Sequence, residues 1–448
     1  MIDLKNKKFA VVSLGCDKNR VDTEKMLGII SNFSTLTDDP TDAEIIVINT
    51  CAFLQASRKE AIETILEFAQ LKDYGKLEKL VVTGCLPQRF IDEIFEELVE
   101  ADIFLGFLDY DLLEEAVILS YETNSRVNYV GRKTTVAAKK RIVSTPLHYA
   151  YLKIADGCNN HCTYCLIPSI RGKYVSTPME DLIAEAEGLG ELSELILVAQ
   201  DITRYGIDLY GKSELITLIR KLSALDNIKG IRLLYCYPDM ITDELIKEIA
   251  TNDKVIKYID IPLQHADDGV LKLMNRKGTG ADYLNLINRL KKEIPQIAIR
   301  STFITGFPGE DESAFENLVS FIKEAKLFNA GFFAYSREKG TPAYKLKNQV
   351  PQSVKNKRLK LLYKTQKEIS KNNLSSFKNK TIDVVFDEID YDCGVFVGRA
   401  FFSAPEIDGK VYFESEDVTV NQGETYKIKI TKTDCYDLYG RVVDEYSE

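Results

Sequence analysis

Three short apolar runs in the first hundred residues each end at a cysteine: VVSLGC at Cys16, IIVINTC at Cys51 and LVVTGC at Cys85, spaced 35 and 34 residues apart. Short β-branched runs of this kind read as buried strands, and the stretches after them carry helical periodicity. Strands are expected at 8–14, 44–49 and 79–83, and helices at 21–30, 58–71 and 89–100. This alternation leaves few folds open, because helices crossing between parallel strands cover both faces of the sheet. A Rossmann-like α/β domain over about 1–135 is the expectation. Neighbouring parallel strands end on one sheet edge, so the near-equal spacing brings Cys16, Cys51 and Cys85 together there. Gly15 and Gly84, just before two of them, allow tight turns. A single such cysteine reads as packing. Three at equivalent positions of successive units read as the thiolates of a three-cysteine cluster with one iron open.

The alternation continues over 146–375, with strands expected at 151–155, 195–199, 231–235, 257–261, 298–304 and 331–335. Six strand–helix units suit a partial (β/α)6 barrel with its chemistry at the C-terminal strand ends. Between these domains, the polar and basic stretch 122–145 reads as a linker, and a Lys-rich helix over 353–376 leads outward. From 381 to 448 the pattern changes to short strands at 381–386, 394–400, 411–413 and 426–431, separated by Gly and Asp turns. That is the pattern of a small antiparallel β-barrel. The expected fold is thus an α/β multidomain chain of three domains.

The net charge of −10 resides in that last segment, which holds 16 acidic and 6 basic residues, while the first 380 residues carry 52 of each. An acidic barrel repels nucleic-acid phosphates and attracts basic surfaces. A solvated surface without a partner fits the charge equally well. No apolar stretch approaches the about 20 residues needed to span a membrane, and the N-terminus has no secretory cleavage pattern, so a cytoplasmic protein is expected. Nine cysteines, an odd number, are no disulfide framework for a chain of this length.

The densest signal is the loop Cys158-Asn-Asn-His-Cys162-Thr-Tyr-Cys165, just after the expected strand 151–155. Three thiolates from one loop suit a 4Fe-4S cluster that keeps one iron open, since a closed cluster takes four. Zinc would need a fourth ligand. His161 could serve, but it directly precedes Cys162, and the two would need a strained loop to meet one ion. Cys236, Cys393 and Cys435 stand alone and read as packing; His148 and His265 are likewise single.

The cysteine loop, with an aromatic before its last thiol, resembles the radical S-adenosylmethionine (SAM) signature. Together with SLGCDKNRVDTE, NTCAF, TGCLPQR, ADGCNNHCTYCLIPSIRGKY, IDIPLQH, FITGFPGE and YSREKGTPA, it makes nearly the whole chain resemble the methylthiotransferase family of radical SAM enzymes. The resemblance implies an N-terminal three-cysteine domain, a radical SAM barrel and a C-terminal TRAM barrel. It implies two 4Fe-4S clusters, one on Cys158, Cys162 and Cys165 that binds and cleaves SAM, and an auxiliary one on Cys16, Cys51 and Cys85 for sulfur insertion. Strand-end residues Gln200, Asp201, Gln264, Gly306, Gly309 and Glu310 are candidates for binding SAM, with Tyr164 near its adenine. Asp17 and Arg20 stand where the family usually has Pro and Leu, and neither replaces a ligand.

One branch of that family modifies adenosine in transfer RNA (tRNA); another modifies the β-carbon of an aspartate in small-subunit ribosomal protein S-twelve. SLGC-x-KN-x-VD-x-E, GRAFFSAPEIDG and the acidic tail resemble the second, since a surface that holds RNA should be basic. The expected partner is therefore the basic ribosomal protein, with tRNA the alternative. An electron donor and a sulfur donor are also required, and no motif names them. A non-catalytic iron–sulfur protein would carry clusters without generating 5′-deoxyadenosine.

Overall fold

Strands covered on both faces need apolar, β-branched side chains along their whole length. The computed structural model describes residues 3–132, 141–416 and 419–443. Its first sheet comprises β1 (Lys8–Ser13), β2 (Thr35–Leu36), β3 (Ile45–Thr50), β4 (Lys79–Gly84), β5 (Ile103–Phe104) and β6 (Val127–Asn128). Every residue of β3 and β4 is buried. The order is β2-β1-β3-β4-β5-β6 with all pairs parallel, a doubly wound arrangement that reverses direction beside β1. Three of these strands are two residues long and leave no apolar run to read. One of them, β6, falls in the stretch expected as a linker, of which 133–140 lies outside the described residues. Helices Asp17–Ile30 and Cys85–Glu97 each start four residues earlier than periodicity indicates, so Cys16 caps one and Cys85 begins the other.

The chain forms two compact units: residues 1–144 with 156–159 and 165–175, and residues 145–155 with 160–164 and 176–448. The second contains a six-stranded parallel sheet of β7 (Tyr149–Lys153), β8 (Glu194–Val198), β9 (Ile231–Leu233), β10 (Val255–Asp260), β11 (Ala298–Thr305) and β12 (Asn329–Ala334), paired in sequence order. All six expected strands are present. Helix Gln352–Ser375 follows, burying Lys355, Arg358, Leu362, Gln366, Ser370 and Leu374. The chain then closes a barrel from β13 (Thr381–Asp390), β14 (Val395–Arg399), β15 (Val411–Glu414), β16 (Thr425–Thr433) and β17 (Leu438–Val442). The barrel has a fifth strand beyond the four expected, because LYGRV carries too few apolar residues to announce one. Its pairing is antiparallel except where β17 runs parallel to β15. No helix among the described residues is long and apolar enough to cross a membrane.

Buried ion pairs fasten this barrel to the parallel sheet. Glu194 on β8 accepts from Arg232 on β9 (2.5 and 3.2 Å) and from Arg399 on β14 (2.8 Å). Arg399 also donates to Asp387 at 2.7 and 3.1 Å, and His148 Nε2 lies 2.7 Å from the same carboxylate. Nearby, Asp408 accepts from the Tyr258 hydroxyl at 2.7 Å and pairs with Arg300 at 3.4 Å. Arg399 and Asp408 both belong to GRAFFSAPEIDG, so that motif encodes the joint.

Burial alone would raise the Glu194 pKa, but the charges of Arg232 and Arg399 hold it at about 2 against an ordinary 4.5. A depressed carboxylate contributes stability that is present above pH 4.5 and lost as pH falls towards 2; the difference corresponds to about 3 kcal/mol. Denaturant titrations across that interval should show Glu194→Gln with a flatter pH dependence than wild type. Parallel curves would contradict the assignment.

Candidate active site

Sheet register brings the first three cysteines level. Ser13 on β1 pairs with Asn49 on β3, which pairs with Thr83 on β4. Cys16, Cys51 and Cys85 follow two or three residues further on, at the C-terminal edge beside the switch point where α/β sheets bind ligands. Gly15 and Gly84 both take φ of 96°. A Cβ on Gly15 would lie 2.8 Å from Cys51 Cβ, and one on Gly84 would lie 2.3 Å from Asn49 Oδ1. These turns therefore accept only glycine.

Polar side chains lock the edge together. Asn19 Nδ2 donates to Leu14 O (3.0 Å) and Thr50 O (3.1 Å), tying the ends of β1 and β3. Its Oδ1 lies 4.0 Å from Cys85 Sγ and accepts from Arg171 Nη2 at 2.5 Å. Asn49 donates to Asn19 O and Thr23, and Thr50 Oγ1 donates to Thr83 O at 2.6 Å. Arg171 is buried, paired with Asp22 at 3.2 Å and Asp156 at 2.9 Å, with Phe107 4.9 Å from its guanidinium.

Burial pushes the Cys85 thiol up to about 12, opposed by the Arg171 charge and reinforced by Cys16 and Cys51. Cys51 is also raised, chiefly by burial and with a contribution from Cys16, so the three sulfurs lie within electrostatic reach of one another. Among the described residues, no three His, Cys, Asp or Glu side chains are gathered tightly enough to grip a single metal ion. A 4Fe-4S cluster takes one thiolate per iron and so suits a wider set. Three thiols beside a buried cation fit such an anionic group.

Within the second cysteine set, the Cys162 sulfur is buried, 3.6 Å from the Tyr237 hydroxyl and 3.9 Å from Arg276 Nη1. The Arg276 guanidinium is itself buried and sits 4.0 Å above the Tyr237 ring. Cys158 and Cys165 are half-buried; Cys158 N donates to Gly172 O at 3.2 Å, and Cys165 Sγ accepts from Ile167 N at 3.4 Å. His161 is exposed with φ of 50°, whereas its neighbour Cys162 is buried.

The candidate SAM-binding residues fall into two groups. Tyr164, Gln200 and Gln264 are half-buried at or near strand ends; Gln264 has φ of 72° and its backbone pairs with β11. Asp201 and Glu310 are buried carboxylates with protein partners. Asp201 accepts from Thr203, from Arg204 Nε (3.0 Å) and from Asn160 Nδ2 (2.9 Å), and so grips the cysteine loop at Asn160. Glu310 accepts from Thr305 (2.8 Å), Gly306 N (2.7 Å) and Arg358 (2.8 Å). His265 Nε2 lies 3.3 Å from it; the imidazole Nδ1 accepts from Asp267 N, which leaves Nε2 to donate. Burial alone would raise Glu310, yet His265, Thr305 and Arg358 together hold it below the usual carboxylate range. Gly306 and Gly309 both have positive φ, with Lys355 and Leu273 side chains filling the space a Cβ would enter.

Of the solitary cysteines, Cys236 is buried as expected. Cys393, expected to pack, is instead exposed in the turn after β13, and Cys435 is half-buried. Sequence reasoning missed Asn19, Arg171, Tyr237, Arg276 and Asn160. The available signal for Asn19, Asn160 and Arg171 was their position within the cysteine motifs.

Residues 152–322 match the radical SAM superfamily, 8–106 the uncharacterized protein family UPF0004, and 380–443 the TRAM domain. The ribosomal protein uS12 methylthiotransferase RimO of Clostridium tetani is 46% identical over 441 residues, 98% of each chain. The protein of the same name from Acetivibrio thermocellus is 45% identical over 453 residues, 99% of this chain and 100% of that one. Among solved structures, the radical SAM methyltransferase TsrM from Kitasatospora setae superposes with a TM-score of 0.56 at 13% identity, covering 75% of this chain and 77% of that one. That likeness is one of fold.

Proposed function

Because the chain belongs to the RimO family of radical SAM methylthiotransferases, we propose that it replaces a hydrogen on the β-carbon of an aspartate in ribosomal protein uS12 with a methylthio group. The observation that carries this reading is the gathering of Cys16, Cys51 and Cys85 at one sheet edge, in addition to the separate loop of Cys158, Cys162 and Cys165. Simple SAM cleavage needs only the second set.

In this reading each set holds a 4Fe-4S cluster with one open iron. When bound, these groups and SAM supply one-electron cleavage of SAM and a sulfur that can be methylated and transferred. The chain's own residues do the positioning. Tyr237 and Arg276 hold the Cys162 thiolate and offset its charge, while Asp201 and Arg204 steady the loop through Asn160. Asn19 and Arg171 set the spacing of the other three thiolates. Tyr164, Gln200 and Gln264 are left to contact SAM, with Gly306, Gly309 and Glu310 shaping the turn beside them. Hydrogen abstraction by a radical needs no poised general base, in keeping with a chain that has 3 histidines.

The acidic barrel supports a basic protein partner over tRNA, and a ribosomal substrate supports a cytoplasmic location. An electron donor and a sulfur donor complete the set of partners. The test is anaerobic incubation of the reconstituted protein with SAM, sulfide, reductant and purified uS12, followed by peptide mass spectrometry. One aspartate gaining the mass of a methylthio group in place of hydrogen is the expected result. SAM cleavage with uS12 unchanged would overturn the substrate and redirect the search to tRNA.

A further inference from the structure

We propose that the exposed face of helix Gln352–Ser375 is a docking stripe for the sugar-phosphate backbone of RNA. Residues 352–380 contain eight lysines and one arginine against a single acid, Glu368, in a chain whose net charge is −10. The positive charge is also ordered. Lys357, Lys360, Lys364, Lys367 and Lys371 recur at intervals of three and four, which places them within an arc of about 80° on a helix of 3.6 residues per turn. The buried residues Arg358, Leu362, Gln366 and Ser370 define a different face. All five lysines are exposed, and among the described residues none forms an ion pair. Lys367 feels Asp434 at longer range.

Successive like charges at i,i+3 and i,i+4 repel, so this row works against the helix that carries it. A solvated surface helix ordinarily intersperses both signs; Lys59 and Glu63 on an earlier helix are paired in that way. The stripe runs for about 21 Å at 1.5 Å per residue, long enough to follow several phosphates along one strand. A lipid surface is a poorer occupant, because the helix exposes only Leu361 and Tyr363 as large hydrophobics, and the Tyr363 hydroxyl is tied to Phe332 O, which leaves little apolar surface to insert. Choosing RNA among polyanions rests on the ribosomal reading above, since ribosomal proteins are set in RNA; the stripe itself does not. Barrel and helix thus offer opposite charges, suited to a basic protein and to the RNA around it.

The test uses the reconstituted full-length protein and a variant, Lys360→Gln/Lys364→Gln/Lys371→Gln, in which glutamine preserves helix propensity. Binding of a fluorescently labelled RNA hairpin is followed by anisotropy across a salt series. Wild type should bind at low salt, and the variant about tenfold or more weakly, with the slope of log K against log salt smaller by about 2. Equal binding by both proteins, or no binding by wild type at low salt, overturns the proposal. Binding to phosphatidylserine vesicles without binding to RNA overturns it too. In activity assays the variant should match wild type on isolated uS12 and fall behind it on intact small ribosomal subunits. If wild type modifies neither substrate, the substrate reading fails, and the RNA titration still decides the stripe.

Discussion

Reconstituted with iron and sulfide, a Cys51→Ala variant is expected to hold about half the iron of wild type, to cleave SAM normally, and to form no methylthiolated product. Cys51 follows β3, the strand between β1 and β4, so it is the middle member of its set. Gly15 packs against its Cβ, and its thiol senses Cys16. Removing it leaves two thiolates at the edge, too few to retain a three-cysteine cluster, while the Cys158–Cys165 loop keeps every ligand. Cys162→Ala should give the converse: loss of SAM cleavage and product together, because the buried sulfur held by Tyr237 and Arg276 is gone. Iron analysis, 5′-deoxyadenosine assay and peptide mass spectrometry read the three properties separately. Product from Cys51→Ala would remove that thiol from the mechanism.

The largest expected effect on stability comes from Arg171→Leu. Arg171 Nη1 donates to both oxygens of Asp156 at 3.0 and 2.9 Å, and Nη2 reaches Asn19 and Asp22. Asp22 is almost fully buried. Truncating one partner of a buried ion pair leaves the other charge uncompensated, a cost of about 3–5 kcal/mol. Leucine fills part of the space and replaces none of the donors. Arg171→Lys keeps the charge, but one ammonium cannot reproduce the planar fork, so an intermediate loss is expected. Asn19 also loses its anchor, so the Leu14 and Thr50 ends can drift and iron retention by the first set should fall. Chemical denaturation of the apoprotein reports the first effect and iron analysis the second. A stability change within about 0.5 kcal/mol, the range of an ordinary surface substitution, would show that the network contributes little.

These predictions divide along what the sequence could and could not disclose. The cysteines were readable because a parallel strand carries its function at its C-terminal end, and VVSLGC, IIVINTC and LVVTGC repeat that grammar. The three long strands of the first sheet and all six of the second were readable for the same reason. Strands of two residues were not, because no periodicity fits into so short a run. Nor were the supports. Arg171 meets Asn19 and Asp22 across about 150 positions, and Arg276 meets Cys162 across 114. No local pattern records a partner at that distance. Asp201 and Glu310 show the same boundary from the other side. A carboxylate at a strand end invites a ligand, and only the fold reveals that Asn160, Arg204, Thr305 and Arg358 already engage it.

The joint between barrel and parallel sheet bears on how such enzymes could be recombined. A barrel borrowed from a relative would bring its own surface, but it would seat only if the borrowed segment also carried the equivalents of Arg399, Asp387 and Asp408. A foreign barrel without them would leave Glu194 with Arg232 alone and Arg300 with Asp260 alone. The seam, more than the outer strands, sets which grafts are tolerated. A chimera cut after helix Gln352–Ser375 inherits the recipient's socket and must import a matching plug.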